Sequence, residues 1–285
     1  MPKPSPHNQA VIDYYNGTRA EYRLLWRNRH NLGLHFGYYD DEHTTHDEAV
    51  LNLNRQLARL VHMQPTDTVF DAGCGVGGSA IWFAQHIGAR ATGVSITPHQ
   101  IERAIQNAAK RGVADKTSFL VADFADVPLD DGAFSVYIGV EAIVHAEDKQ
   151  AVLKEAARLL QSGGRLAIAE YLLPARRASA RHQRLLTQWL DGWSMPALET
   201  EASYRSLLEH AGFRDITFTD WTPHVTPSLR RLARFARLFT RIAPLLSALR
   251  LANKDQLRNL TATTAQMKLL DDGVWRYKVV TAVKK

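Results

Sequence analysis

The segment from Val69 to Gly78 carries the residues whose types and spacing are best suited to chemistry. A short apolar run ends in Asp71 and is followed by glycines at positions 73, 75, 77 and 78. Glycines in a strand-to-helix turn let a ligand lie directly against the main chain. A dinucleotide could place its pyrophosphate on such a turn, but those sites usually have an acid about twenty residues further on. Here the acid precedes the glycines, which favours a different cofactor.

Two further residues are candidates for acid–base chemistry. Glu170 follows the apolar run Leu166–Ala169, so we expect it at the mouth of a sheet. There it either faces the site or caps a nearby backbone group or arginine. His145 lies in the loop after another apolar strand and is either a base for a phenol or hydroxyl or an ordinary loop residue.

The elements that position these residues follow from hydrophobic periodicity. From Val69 onward, short apolar runs alternate with longer amphipathic ones, which predicts right-handed crossovers and parallel strands. The predicted fold is α/β, with a doubly wound, mostly parallel seven-stranded sheet and a helical cap. Strands are predicted at Thr68–Asp71, Arg90–Ser95, Thr117–Ala122, Phe134–Gly139, Arg165–Glu170, Phe213–Asp220 and Tyr277–Val283, and the intervening core helices at Ser79–Ile87, Pro98–Arg111 and Lys149–Leu160.

The last two strands are separated by a long helical stretch, which predicts a final hairpin interrupted by an insertion. Amphipathic helices at Arg176–Trp189 and Ser228–Leu251 would join helices from the start of the chain. Together they would cap the carboxyl edge of the sheet, where doubly wound folds bind ligands. The predicted division is a cap segment at 1–62, a core at 63–175, a cap helix at 176–202, a core helix and strand at 203–222, a cap insertion at 223–271 and a final core strand at 272–285.

Three segments in register resemble the class I S-adenosylmethionine (SAM) dependent methyltransferases. They are Asp71–Gly77, Gly93–Gln100 and Ala122–Phe124. The resemblance implies a Rossmann-like methyltransferase fold in which the glycine turn lies under the amino-acid part of SAM. It also implies that Asp71 is close to that end, that Asp123 accepts the adenine amino hydrogens and that the amide of Phe124 contacts the ring. Many relatives carry an acid at the end of the second strand, where this chain has Ser95; small-molecule methyltransferases share that departure.

Two flanking segments extend the resemblance over roughly Trp26 to Pro174. Leu34–Asp40 matches a segment that closes over the methionine end of SAM, and Gly139–His145 forms the loop after the fourth strand. The residues expected to bind the cofactor are His35, Asp71, Gly73, Gly75, Gly77, Ser95, Gln100, Asp123, Phe124 and Val140.

The acceptor is expected to be a small molecule. The net charge of +6 would suit nucleic acid, but the Asn/Asp-Pro-Pro-aromatic segment of DNA amino-methyltransferases is replaced here by Ile138–Glu141. No appended RNA-binding module is recognisable. Cyclopropane-forming enzymes also resemble the chain, but their Glu-His pair after the fourth strand is not reproduced at the aligned positions.

The main hypothesis is C-methylation of a prenyl diphosphate alkene. The segments at 35–40 and 139–145 resemble tocopherol-type, sterol-type and prenyl-diphosphate methyltransferases and natural-product O- and N-methyltransferases. Methylation of an alkene makes a carbocation, which needs aromatic faces and a carboxylate to remove a proton, here Glu170. Mg²⁺ would accompany a diphosphate, although no Asp-rich motif is present and no metal ligands are assigned. Residues expected to contact the acceptor are Tyr38, Tyr39, Arg176, Trp189, Trp193, Phe235 and Phe239.

Two alternatives stay open. One is O- or N-methylation of a natural product or prenylated quinol, with His145 or Glu170 as the base. The other, of a different class, is a catalytically silent SAM-binding or interaction protein.

Charge and composition bear on partners and location. Arginines along 230–241 flank an apolar stripe, which suits an apolar acceptor with an anionic group or a transient contact with an anionic membrane surface. The single cysteine favours a reducing compartment, and no apolar stretch is long enough to span a bilayer. The expected location is the cytoplasm, with no DNA partner and with the oligomeric state left open.

Overall fold

The computed structural model describes residues 4–17, 30–174, 179–248 and 254–285 of the chain. Seven strands form one sheet in the order β3-β2-β1-β4-β5-β7-β6. The strands are β1 (Thr68–Ala72), β2 (Arg90–Ser95), β3 (Thr117–Val121), β4 (Phe134–Val140), β5 (Leu160–Leu172), β6 (Phe213–Asp220) and β7 (Arg276–Lys284). The helices are α1 (Pro6–Gly17), α2 (His46–Leu60), α3 (Gly78–His86), α4 (Pro98–Lys110), α5 (Lys149–Leu159), α6 (Ala180–Gly192), α7 (Glu201–His210), α8 (Thr222–Ala248) and α9 (Lys254–Asp271), with a 3₁₀ turn at Ile143–His145.

The sheet confirms the predicted fold class. β1 to β5 run parallel, whereas β7 pairs antiparallel with both β5 and β6. The helical stretch α8–α9 lies between β6 and β7 in the chain, so the final hairpin is interrupted as expected. Because the order reverses between β1 and β4, the carboxyl ends of these strands flank a crevice that can bind a ligand.

Several boundaries differ from the predicted ones for identifiable reasons. β5 begins at Leu160 instead of Arg165, because Leu160 already pairs with Phe134 of β4. α8 begins at Thr222 instead of Ser228; the Asp220 carboxylate accepts a hydrogen bond from the Thr222 amide at 2.8 Å and caps the earlier start. α6 begins at Ala180, after Ser179 caps it, so the predicted start at Arg176 and Arg177 lies outside the described residues.

Apolar side chains cover both faces of the sheet. One face carries Ala167, Ala169 and Tyr171 of β5 and packs against side chains that include Trp189 of α6 and Trp275, which precedes β7. The other face carries Leu166, Ile168 and Leu172 and packs against α5 and α7. The same cluster includes Leu229 and Leu232, so the first of these faces also contacts α8. The division into cap and core segments stays a prediction.

Across the described ranges, no helix combines the length and apolar character needed to cross a membrane.

Candidate active site

The glycine-rich turn between β1 and α3 lines a cavity of about 280 Å³. Gly73 and Gly75 border this cavity with positive φ angles of 72° and 53°. At Gly73 a side chain would also clash, because a Cβ there would lie 2.5 Å from the Cβ of Ala142. Gly77 caps the start of α3 with a φ of 86° but does not line the cavity. The turn therefore leaves main chain exposed to a ligand.

Asp71 is buried at the end of β1 and borders the same cavity. Its Oδ2 accepts a hydrogen bond from the Ala80 amide at 3.2 Å. Burial raises the pKa of this carboxyl to about 7, and the single amide donor offsets only part of that effect. A cationic ligand nearby would favour the ionised form.

The end of β2 adds a small buried hydrogen-bond network. The Ser95 hydroxyl donates to Oε1 of Gln100 at 2.8 Å and accepts from the amide of Thr97 at 3.1 Å. All three residues line the cavity. The Thr97 hydroxyl is buried without a hydrogen-bond partner. An unpaired buried hydroxyl is costly, so it is suited to contact a polar ligand group.

Asp123 follows β3 and is contacted by the N-terminal helix. Its Oδ1 accepts from the Ala125 amide at 2.9 Å, and its Oδ2 accepts from the side-chain amide of Asn8 in α1 at 2.6 Å. Phe124 also lines the cavity, and so do Val11 and Tyr15 of α1. Helix α1 therefore covers the end of the cavity where Asp123 is expected to bind adenine.

His35 offers a buried hydrogen-bond acceptor to the cavity. Its Nδ1 lies 2.8 Å from the carbonyl of Phe36, which can only accept, so Nδ1 carries the hydrogen. Burial lowers the pKa of this imidazole to about 4, and its Nε2 has no partner. The neutral ring therefore presents a lone pair suited to a donor such as an ammonium group.

Glu141 is a site residue that the sequence reasoning did not single out. It follows β4 with a left-handed φ of 50° and accepts hydrogen bonds from the Phe36 amide at 2.8 Å, the Tyr277 hydroxyl at 2.9 Å and the Tyr171 hydroxyl. Burial raises the pKa of the Glu141 carboxyl to about 7, although the three hydrogen-bond donors act to lower it. The available signal was its position, since it directly follows an apolar strand next to the one that carries Asp71.

A second cavity of about 50 Å³ adjoins the first. The two share Tyr15, Leu34, Glu141 and His145 as lining residues. The remaining walls of the second cavity are mostly apolar or aromatic: Tyr14, Val144, Tyr171, Trp193, Met195, Leu232, Ala236, Asn259, Leu260 and Thr263. This arrangement suits an apolar acceptor beside a cofactor.

His145 lies at the border between the two cavities. Its Nδ1 is 3.2 Å from the carbonyl of Ser194, so the hydrogen is assigned to Nδ1. Its Nε2 is 3.2 Å from the hydroxyl of Tyr15, and both side chains line both cavities. Burial lowers the pKa of His145 to about 4, so the imidazole is neutral and its Nε2 can accept a proton.

The structure does not bring Glu170 to either cavity. Glu170 is buried beside Lys149, Tyr204 and the Val144 amide, and burial raises its pKa to about 7. Adjacent strand residues point to opposite faces, so Tyr171 faces the cap while Glu170 points towards α7. Glu170 therefore does not face the site as predicted, because its place in the strand directs its side chain to the opposite face of the sheet.

The predicted acceptor contacts are only partly brought together. Trp193 lines the second cavity, whereas Trp189 is fully buried and packs on Tyr171 and Trp275. Tyr38 stacks on His224 at 4.0 Å between ring centroids, and Tyr39 donates its amide to the His224 carbonyl at 3.0 Å. Phe235 and Phe239 do not line either cavity, and Arg176 lies outside the described residues.

Over the part of the chain that the structure describes, no group of three or more His, Cys, Asp or Glu side chains could hold a metal ion.

The known proteins that this chain resembles are methyltransferases. A family model described as a methyltransferase domain matches residues 70–168. The 27-O-demethylrifamycin SV methyltransferase of Amycolatopsis mediterranei is 34% identical over 82% of this chain and 83% of its own length. The chloroplastic tocopherol O-methyltransferase of Arabidopsis thaliana is 27% identical over 97% of this chain and 82% of its own.

A solved structure agrees with the fold. Geranyl diphosphate C-methyltransferase from Streptomyces coelicolor superposes with a TM-score of 0.76 at 20% identity and covers 100% of both chains. At that identity the likeness concerns the fold alone. The cavity geometry, the matched family model and the relative at 34% identity lead to the same conclusion. The chain belongs to the class I SAM-dependent methyltransferases, in the branch that acts on small molecules.

Proposed function

We propose that this enzyme methylates a hydroxyl oxygen of an apolar small molecule, such as a phenol or quinol, with His145 as the general base. One observation carries the proposal. His145 is neutral, and its Nε2 faces the border of the two cavities, where it already contacts the hydroxyl of Tyr15 at 3.2 Å. An acceptor hydroxyl in the second cavity would take a similar place.

The residues of the larger cavity fit SAM. The glycine turn, Ser95 and Gln100, and Asp123 with Phe124 would hold the cofactor. Asp71 and the unpartnered Nε2 of His35 offer negative charge and a lone pair towards its methionine end, and the unpartnered hydroxyl of Thr97 offers a further polar contact. When bound, SAM supplies an electrophilic methyl group on a sulfonium.

His145 would act on the acceptor. As the acceptor oxygen bonds to the methyl carbon and the bond from carbon to sulfur breaks, the hydroxyl proton passes to Nε2. The Ser194 carbonyl, which accepts from Nδ1, holds the ring in place and favours the imidazolium that forms. The apolar walls around Trp193 and Leu232 exclude water and orient the acceptor.

C-methylation of a prenyl diphosphate is the second candidate. The rings of Tyr14, Tyr15, Tyr171 and Trp193 line the second cavity together with the Glu141 carboxylate, an arrangement that could stabilise a cation and then take its proton. However, no arginine or lysine lines either cavity among the described residues. Within the described part of the chain, a diphosphate would therefore meet no cationic side chain in either cavity. The names of the two relatives reported above, the rifamycin and tocopherol methyltransferases, refer to O-methylation, which also supports an oxygen acceptor.

A substrate panel with labelled SAM separates these functions. It would contain phenols, quinols, amines and, with and without Mg²⁺, prenyl diphosphates. We expect transfer to phenols or quinols, and we expect His145→Gln to lower kcat by about 10²- to 10⁴-fold with SAM affinity nearly unchanged. Turnover confined to prenyl diphosphates, or full activity of the His145 variant, would contradict the proposal. Tight SAM binding without any turnover would favour the silent alternative.

A further inference from the structure

The outward surface of α8 combines arginines with exposed apolar side chains. Arg230, Arg234 and Arg237 are exposed on this helix, which has no aspartate or glutamate over its 27 residues. On the same helix Phe235 is 37% exposed and Leu238 is 60% exposed. Basic side chains without acidic neighbours, next to exposed apolar side chains, are typical of helices that lie on an anionic membrane surface.

Helical periodicity places these side chains together. Residues three and four apart share one side of a helix, so Leu238 neighbours both Arg234 and Phe235. The guanidinium of Arg231 lies over the ring of Phe235, with 5.4 Å to its centroid. The two other exposed large apolar side chains in the described part of the chain, Leu60 and Ile105, belong to different helices.

The opposite side of the same helix forms part of the acceptor cavity. Leu232 and Ala236 are buried and line the second cavity, whereas Arg234, Phe235 and Leu238 are exposed. Only the width of one helix, about 10 Å, separates the two sides. A surface that holds α8 would therefore lie close to the acceptor.

We propose that the α8 docking face, defined as Arg230, Arg234, Phe235 and Leu238, binds the surface of an anionic lipid bilayer. The arginines pair with acidic headgroups, and Phe235 and Leu238 enter the boundary between headgroups and acyl chains. Charge complementarity supports this partner, since the whole chain also carries a net charge of +6. The proposed docking does not depend on the identity of the acceptor. Its purpose, which is access to an acceptor dissolved in the membrane, rests on the proposed function.

Co-sedimentation of the full chain with vesicles tests the docking without SAM or acceptor. The vesicles are phosphatidylcholine alone or with about 30% phosphatidylserine, at about 0.1 M and about 0.5 M salt. We expect binding only to the anionic vesicles and much weaker binding at the higher salt. The double variants Arg230→Glu/Arg234→Glu and Phe235→Ser/Leu238→Ser should each weaken binding about tenfold or more.

A matched control uses the exposed pair on α4. Arg103→Glu/Ile105→Ser changes a basic and an apolar side chain of similar exposure and should bind vesicles like the parent chain. If charge reversal unfolds the protein, the milder variant Arg230→Gln/Arg234→Gln replaces it and should also weaken binding to anionic vesicles. Unchanged SAM affinity and an unchanged Tm show that a variant is folded. Equal binding to neutral vesicles, no binding to anionic ones, or an equal effect of the control would overturn the proposal. Because vesicle binding is the readout, failure of methyl transfer does not affect it.

Discussion

At the scale of single residues, burial sets the charge of the groups around the two cavities. The imidazoles of His35 and His145 have pKa values lowered to about 4, so both are neutral at physiological pH. The carboxyls of Asp71 and Glu141 have pKa values raised to about 7. The site therefore offers neutral bases, together with carboxylates whose ionisation a bound cation would favour.

One consequence is a pH-dependent affinity for SAM. The Asp71 carboxyl becomes protonated as pH falls through its pKa of about 7, and the cationic end of SAM prefers the ionised form. We expect SAM affinity, measured by calorimetry, to fall several-fold from about pH 8 to about pH 6. Asp71→Asn should bind SAM weakly at every pH in this range. A parent affinity that does not change with pH would exclude this role for Asp71.

At the scale of elements, the loop that carries His35 is wedged between α2 and α8. The amide of Gly37 donates to the Ser228 hydroxyl of α8 at 2.9 Å, and the amide of Phe36 donates to Glu141 after β4. A Cβ at Gly37 would lie 2.7 Å from backbone atoms of Ala49 and Val50 in α2. The loop can approach α2 this closely only because residue 37 has no side chain.

Gly37→Ala should therefore affect both stability and the site. We expect the free energy of unfolding to fall by about 1–3 kcal/mol, because backbone atoms of α2 cannot move aside easily. SAM affinity should fall as well, since His35 and Phe36 shift with the loop. Gly163→Ala is the control. Gly163 has a φ of 74° and open space around it, so an alanine there strains the backbone without a clash. This variant should lose stability but keep the SAM affinity of the parent chain. Equal SAM affinity of the two variants would contradict this prediction.

At the scale of the whole molecule, Glu170 belongs to the buried contacts between the sheet and α7. Its pKa of about 7 lies above the ordinary 4.5, so the folded state holds a proton that the unfolded state has already released. The contribution of this group to stability is therefore lost progressively as pH rises from about 4.5 to about 7. Lys149 lies close enough to favour the ionised form, but burial dominates.

Glu170→Gln removes this pH dependence without changing the shape of the side chain. We expect the variant to gain about 1–3 kcal/mol relative to the parent chain between about pH 5 and about pH 8, measured by denaturant unfolding. Turnover should be retained, because Glu170 lines neither cavity. Glu209→Gln, on the exposed side of α7, should show no such gain. A sharp loss of turnover in the Glu170 variant would return this residue to the mechanism.

The sequence by itself determined the fold class and the methyl donor. The glycine turn, Ser95 and Asp123 each follow a predicted strand, and a parallel sheet brings the carboxyl ends of its strands to one edge. Each part of that predicted site is local, so spacing along the chain is enough to propose it. Except for Gly77, every residue predicted to bind the cofactor lines the larger cavity.

The second cavity, which we propose as the acceptor site, is evident only from the tertiary structure. Tyr15 comes from α1, far along the chain from Glu141 and His145 in the loop after β4, and the left-handed backbone at Glu141 has no signature in the sequence. β5 is buried on both faces around Glu170, so its continuous apolar run does not show which side chains point to which face. A shift of one residue reverses the faces, and the packing of β5 places Tyr171, instead of Glu170, beside the second cavity.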